Sequence, residues 1–152
     1  MGSFTNKGDY SEGDLEFEQT PKLSLAAGYS YNDRAVRTQG QLGPELFGDR
    51  DITTFIADMI LKYKGWAVMG EYFDRQAMDP ITANEEGDIS YVRTGIGING
   101  QLSRAFRSGY EVVGRYTTVQ PGEEIRDLAR RNDEVLLGGT KYLNGHRIKL
   151  QL

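Results

Sequence analysis

Two acidic residues, Asp58 and Glu71, come closer than any others in this sequence to a paired catalytic group. If Lys64–Gly65 forms a two-residue turn, the two carboxylates lie opposite each other on neighbouring strands. Facing carboxylates can share a proton, bind calcium or hydrolyse a glycosidic bond. Two acids alone do not define such a site, so we expect a nearby arginine or lysine to neutralise them.

His146 is the only histidine, and the chain has no cysteine. A histidine-dependent hydrolase would need this residue next to a serine deep on a strand, whereas it stands beside a tight turn. One histidine without cysteine is also a poor metal-binding set. The run Gly95–Gly97 lies inside a strand pattern and precedes no helix, so it does not indicate a dinucleotide site. We therefore expect no catalytic residues, metal or cofactor, and infer that the protein is not an enzyme.

A larger group of charged residues falls on one side of the predicted strands. Cations outnumber anions in this group, which consists of Lys62, Arg75, Arg93, Arg115, Arg147 and Lys149 with Asp58, Glu71 and Glu111. On the wall of a water-filled pore, a surplus of cations lowers the electrostatic barrier to anions. We interpret these residues as lining a lumen. The alternative is that they form salt bridges with one another inside a small or plugged barrel.

Residues 53–75, which carry several of these charges, have the pattern of one long β-hairpin. In the first arm, uncharged residues from Phe55 to Tyr63 alternate with a series that includes Asp58 and Lys62. Because successive side chains of a strand point to opposite faces, each arm has one uncharged face and one charged face. Each arm has about ten residues, roughly what a tilted strand needs to cross a bilayer.

The same alternation recurs along the rest of the chain, where further strands are predicted at 22–31, 90–102 and 110–117 and in a last hairpin at 134–152. The turn of that hairpin is Asn144–Gly145, a strong hairpin signal. This register leaves Lys141 on the apolar face, two residues from the turn, where its side chain could snorkel to the membrane interface.

Long and short connections alternate between these strands. The long ones are at 32–51, 76–88 and 119–132, and outer-membrane barrels combine short turns at one end with long loops at the other. Residues 20–152 are therefore predicted to be all-β, as an antiparallel up-and-down transmembrane β-barrel of seven strands that we expect to be part of a larger barrel. Residues 1–19 form an acidic N-terminal segment, in which a short strand at 13–18 would be the eighth.

Aromatic residues gather towards the ends of the predicted strands. We interpret them as membrane-interface residues that fix the depth of the strands in a bilayer. Tyr63, Trp66 and Tyr110 belong to one end of the strands, and Tyr29, Tyr31, Tyr72 and Tyr116 belong to the other. The alternative is ordinary packing in a soluble core.

Composition excludes some functions. The net charge of −4 argues against a nucleic-acid partner, since phosphate contacts require a basic surface. No apolar run approaches the roughly 20 residues of a membrane helix. The mean hydropathy of −0.54 does not exclude a membrane barrel, in which only every other strand residue need be apolar.

Several stretches resemble the C-terminal half of the phosphate-selective porin O and P family, in the version seen in Bacteroidetes-type outer membranes. They are Thr20–Ser24 with Gly28 and Tyr29, Asp49–Thr53, Lys64–Trp66 with Gly70–Phe73, Tyr110–Thr117, and Tyr142–His146 with Ile148–Leu150. The resemblance implies a porin of the bacterial outer membrane, typically a homotrimer of sixteen-stranded barrels. Such a porin has the lipid bilayer as one partner and passes small anionic solutes, such as phosphate, by passive diffusion.

The chain departs from that family in strand number, because it has about half the strands of such a barrel. It is then either a segment of a longer porin or a short relative that closes with eight strands, whose interior side chains would fill. Two alternatives remain. One is a non-conducting structural or docking barrel of the outer membrane, and the other is a soluble lipocalin-like barrel with Phe55, Met59 and Val68 around a ligand.

Overall fold

The computed structural model describes residues 12–144 and 148–152. The predictions that concern His146, Arg147 and the turn residue Gly145 therefore lie outside the described residues. Among the described residues, no helix has both the length and the hydropathy that a bilayer crossing requires.

The described chain contains nine strands: β1 (Lys22–Arg37), β2 (Glu45–Tyr63), β3 (Trp66–Ala77), β4 (Ile81–Ala83), β5 (Ile89–Tyr91), β6 (Gly95–Ala105), β7 (Tyr110–Pro121), β8 (Asn132–Asn144) and β9 (Ile148–Gln151). Seven of them form one sheet in the order β1-β2-β3-β6-β7-β8-β9, and β4 pairs with β5. All pairs are antiparallel, which confirms the predicted all-β, up-and-down arrangement. The described strands form an open sheet, in which β1 and β9 each have one neighbour. Closure into a barrel therefore stays a prediction.

The Lys64–Gly65 turn between β2 and β3 sets the register of the sheet. Both residues have positive φ, 49° and 84°, which suits a two-residue turn that follows the twist of the strands. As predicted, Tyr63 pairs with Trp66, and Asp58 pairs with Glu71. We call the end of the sheet with this turn the short-turn end, and the opposite end the long-connection end.

Much of the connection predicted at residues 32–51 is strand. β1 continues to Arg37 and β2 begins at Glu45. The pairing has register shifts between Asn32 and Ala35 and again between Ala35 and Arg37. Such shifts interrupt the two-residue alternation, so the extension of the two strands could not be recognised from the pattern.

The prediction of a single strand at residues 90–102 is wrong, because the strand is interrupted between Tyr91 and Gly95. Residues 89–91 form β5, whose partner β4 lies inside the predicted connection 76–88, and β6 begins only at Gly95. Gly95 has a φ of 130°, a conformation that side chains disfavour, and a Cβ there would overlap the carbonyl oxygen of Gln120. Arg93 consequently lies in the link between β5 and β6 and not on a strand.

The two faces of the sheet differ in chemistry. The apolar face carries Leu25, Phe55, Met59, Val68, Val112 and Leu137, and the polar face carries Asp58, Lys62, Glu71, Gln101 and Arg115. Leu25 and Leu137 are 70% and 82% exposed, and Val112 is 56% exposed. The described residues therefore do not enclose the apolar face in a dry core.

A small buried core lies at the long-connection end. Ala35, Leu46, Ile52 and Val92 form one cluster, and Ala77 packs against it. The cluster joins the extended ends of β1 and β2 to the connection between β3 and β6. Because Ile52 shares the polar side of β2 by its register, this connection folds over the polar face and not over the apolar one.

Residues 12–19 contain no strand and fold against the short-turn end, so the short strand considered at 13–18 is not found there. The Asp14 side chain is 1% exposed, and its Oδ2 accepts a hydrogen bond from the backbone N–H of Gly65 at 2.6 Å. The backbone N–H of Lys64 donates to the carbonyl oxygen of Glu18 at 2.9 Å. The buried carboxylate thus ties the N-terminal segment to the turn that sets the register.

We predict that Asp14→Ala lowers the free energy of unfolding by about 1–3 kcal/mol, because it leaves the buried Gly65 N–H without its acceptor. Urea unfolding of the chain in detergent micelles, followed by Trp66 fluorescence, measures the loss. Glu16→Ala is the matched control, since it removes an exposed carboxylate from the same segment. Equal stability of the two variants would contradict the assigned role of Asp14.

Candidate functional site

A ladder of polar side chains crosses the middle of the polar face. Nδ2 of Asn99 on β6 donates to Oε2 of Glu71 on β3 at 2.8 Å. The Thr117 hydroxyl on β7 donates to Oδ1 of Asn99 at 3.0 Å. Within the described residues neither Asp58 nor Glu71 forms an ion pair. Glu71 therefore has a neutral donor, Asn99, and among the described residues the arginine or lysine that the sequence led us to expect does not pair with either carboxylate.

Arg115 lies beside this ladder on β7. Its Nε and Nη2 donate to Oε1 of Gln101 at 2.8 and 2.6 Å, and Nη2 lies 3.7 Å from Oε1 of Glu12. The Gln101 amide also reaches Sδ of Met69 at 3.7 Å. Arg115 is thus held by the wall and by the N-terminal segment, which reduces its availability to a solute.

Three other predicted wall residues lie at the short-turn end. Lys62 and Glu111 are 3% and 6% exposed, and Glu111 accepts a hydrogen bond from the Tyr142 hydroxyl. Lys149 lines a cavity of about 300 Å³ together with Glu12 and Glu111. The N-terminal segment therefore covers part of the polar face and leaves less of it accessible to solvent at this end.

A cleft of about 590 Å³ opens at the long-connection end of the polar face. Three arginines from separate segments line it: Arg75 on β3, Arg93 before β6, and Arg130 in the connection between β7 and β8. We call it the arginine cleft. Arg75 donates through Nε to the Thr54 hydroxyl at 3.3 Å and lies over the Phe73 ring at 4.9 Å. Within the described residues, no carboxylate forms an ion pair with any of the three arginines.

Two connections meet above the arginine cleft. The backbone N–H of Gly122 donates to the carbonyl oxygen of Thr94 at 3.0 Å, and the Tyr91 hydroxyl donates to the carbonyl oxygen of Leu128 at 3.2 Å. Ile125, in a short 3-10 helix between β7 and β8, is 1% exposed and anchors its connection. These contacts fix the positions of Arg93 and Arg130, although neither residue is on a strand.

Sequence reasoning placed Arg75 and Arg93 on one wall but missed Arg130, Asn99 and Thr117. By the alternation of their strands, Asn99 and Thr117 fall on the same face as Glu71 and Arg115. We call this property strand parity, and it could have predicted the ladder. Arg130 carried no signal, because its position depends on contacts between two connections that are distant in sequence.

The predicted interface aromatics lie on the apolar face. Tyr63, Trp66 and Tyr110 are at the short-turn end, and Tyr29, Tyr31, Tyr72 and Tyr116 are towards the other. Lys141 also lies on this face, opposite Tyr110. Its ammonium group is 3.7 Å from the centre of the Tyr110 ring and donates to the carbonyl oxygen of Ser108 at 2.8 Å. The cation thus reaches past the last apolar row to the turn between β6 and β7, and snorkelling to a membrane interface stays a prediction.

The aromatic rows do not run straight across the sheet. Tyr29 on β1 is in register with Phe55 of β2. Tyr116 on β7, followed through the pairs of β6 and β3, is in register with Met59 of β2, nearer the short-turn end. The apolar band therefore slants across the strands from β1 towards β8.

Two tyrosines at the long-connection edge of this band donate hydrogen bonds to aspartates. The Tyr31 hydroxyl donates to Oδ2 of Asp51, and the Tyr116 hydroxyl donates to Oδ1 of Asp133, both at 2.8 Å. Nε of Arg131 lies 2.7 Å from Oδ2 of Asp133. The Arg131 guanidinium, with the nearby hydroxyls, holds the pKa of the Asp133 carboxyl well below its usual range. The pair fastens the connection between β7 and β8 to the sheet.

No family model, curated protein or solved structure matches the chain. What the described residues define is a class of fold: an antiparallel β-meander with an exposed apolar face and a polar face that carries an arginine cleft.

We predict that Asp133→Asn lowers the melting temperature at pH 7 and that the difference from the unchanged chain narrows in acid. A carboxyl whose pKa is lowered by folding stabilises the fold above its ordinary pKa of about 4, and this stabilisation is lost as the pH falls towards the lowered value. Thermal unfolding in detergent, followed by circular dichroism between pH 7 and pH 3, tests this. Asp127→Asn is the control in the same connection. A deficit that stays constant with pH would count against the ion pair.

Proposed function

We propose that this chain forms part or all of the wall of a bacterial outer-membrane porin through which small solutes diffuse, with a bias towards anions. The observation that carries the proposal is the contrast between the two faces. Exposed apolar side chains occupy one face, while the other bears the charged residues and the arginine cleft. A strand wall between lipid and water requires this distribution.

The slant of the apolar band supports the membrane part of the proposal. Strands of outer-membrane barrels are tilted by about 35–45°, so a layer of constant depth cuts obliquely across their register. The offset between the Tyr29 and Tyr116 levels has the form that such a cut produces. A soluble core has no corresponding need for aromatic residues along a slanted edge.

The charge of the arginine cleft supports the bias towards anions. Among the described residues that line it, one is acidic, Glu71, and three are arginines, Arg75, Arg93 and Arg130. Because no described carboxylate pairs with these guanidinium groups, their field extends into the cleft and lowers the barrier to anions. The likeness to phosphate-selective porins agrees with this charge, and the phosphate preference and homotrimer that it implies stay predictions.

A second candidate is a non-conducting structural or docking barrel of the outer membrane. The cover that residues 12–19 form over the short-turn end of the polar face favours it, because Asp14 is buried there and Glu12 reaches Arg115. The soluble lipocalin-like alternative has less support, since Phe55, which would face its ligand, is 42% exposed.

We predict that Leu25→Arg impairs folding into phosphatidylcholine vesicles by about 2–4 kcal/mol, the cost of a cation on the lipid face near the bilayer midplane. The adjacent Ala26→Arg is the matched control, because residue 26 faces the polar side opposite Asp58. Partition between urea and vesicles measures both variants. Leu25 is 70% exposed, so a protein that keeps this face in water would tolerate both changes equally, and that result would refute the membrane assignment.

We predict anion-selective conductance in planar bilayers, weakened in Arg93→Gln. Removal of one unit charge near a water-filled path should reduce the chloride-to-potassium permeability ratio by about two- to fivefold. Reversal potentials in a potassium chloride gradient measure this ratio. Arg126→Gln is the control, since Arg126 is exposed and pairs with Glu123 at 3.0 Å. Insertion without conductance would contradict the porin and favour the non-conducting barrel.

A further inference from the structure

The floor of the arginine cleft is apolar, which the passage of small inorganic anions does not require. Phe73 on β3, Gly97 on β6 and Val119 on β7 are in register and all lie on the polar side of the sheet. Val119 is 48% exposed and Phe73 is half-buried. Ile56 on β2 pairs with Phe73, so this apolar row extends onto a fourth strand of the polar side.

Gly97 keeps this floor open between its two neighbours. A Cβ at this position would lie 3.7 Å from Cβ of Phe73, which is ordinary van der Waals contact. The φ angle of Gly97 is not positive, so the backbone conformation at this position does not demand glycine. The missing side chain therefore leaves space beside the Phe73 ring without being needed by the backbone.

The walls of the cleft combine apolar side chains with arginines. Tyr91, Ile125 and Ala129 line it together with Arg93 and Arg130. Arginine binds carboxylate and phosphate oxygens through paired N–H donors, and its guanidinium plane stacks on aromatic rings. The volume of about 590 Å³ falls in the usual range of pockets for organic ligands, about 300–1,000 Å³.

We propose that the arginine cleft is a binding subsite for an organic oxyanion, a carboxylate or phosphate monoester attached to an aromatic or branched apolar body. The oxyanion contacts Arg93 and Arg130, and the apolar body lies on the floor formed by Phe73, Gly97 and Val119. This proposal rests on the porin function above, for which it names the class of solute.

Four probes separate the contributions: phenyl phosphate, benzoate, inorganic phosphate and the neutral benzamide. Titration calorimetry with the full chain in detergent micelles should give phenyl phosphate an affinity at least about tenfold above that of inorganic phosphate, because its ring buries apolar surface on the floor. Benzoate should bind at least about tenfold more tightly than benzamide, because only benzoate carries a charge for the arginines. The ratio of phenyl phosphate to benzoate affinity identifies the preferred head group. Equal binding of phenyl phosphate and inorganic phosphate would overturn the proposal.

Two variants locate the site. Gly97→Val fills the floor with a residue that strands favour, so it should weaken phenyl phosphate about tenfold and leave inorganic phosphate unchanged. Gly100→Val on the apolar face of the same strand is its control, because a Cβ there meets nothing within 4 Å. Arg93→Gln with Arg130→Gln should weaken both anions. Unchanged phenyl phosphate binding in Gly97→Val would refute the assigned floor.

The outcomes separate this proposal from the porin function. Anion-selective conductance without preference for phenyl phosphate removes the organic subsite and leaves the porin. Tight phenyl phosphate binding that Gly97→Val abolishes, in a chain that never conducts, supports the subsite and removes passive diffusion. Heat-dependent electrophoretic mobility and circular dichroism of each variant establish that it has folded before its binding is compared.

Discussion

The register set by the Lys64–Gly65 turn is the constraint on which both faces of the sheet depend. Side chains alternate with a period of two, so a slip of one residue would exchange the faces of β3 relative to β2 and put Glu71 on the apolar side. The two positive φ values fix the turn from within, and the hydrogen bond from Gly65 N–H to Asp14 holds it from outside. The same bond holds the N-terminal segment over the polar face. One interaction therefore supports both the strand register and the cover of this face.

Most strands of the large sheet were predictable because they keep their alternation over many residues, a local property that needs no knowledge of the partner. The four-residue β9 was predictable from the turn signal before it. The wrong predictions occur where the alternation of apolar and polar residues does not coincide with the strand boundaries. At Asn32 and Ala35 the register shifts hide real strand, and at Gly95 the pattern continues although the chain turns. Strands β4 and β5 have three residues each, too few for any period to appear.

The candidate site divides in the same way. Arg75 and Glu71 follow from strand parity, as do the ladder partners Asn99 and Thr117 once parity is applied to uncharged residues. Arg93 and Arg130 belong to connections, whose positions depend on long-range contacts such as the buried Val92 and Ile125. A single sequence shows that such residues are charged, but it contains no periodic signal that brings them together.

Strand direction limits how such a sheet can become a closed wall. β1 and β9 both run from the short-turn end towards the long-connection end, since seven alternating strands begin and end in the same direction. Direct pairing of these two edges would be parallel, unlike every pair in the sheet. An all-antiparallel wall therefore needs an odd number of further strands between them. One further strand would give eight, a barrel whose interior its own side chains fill. An open lumen below the arginine cleft thus requires at least three more.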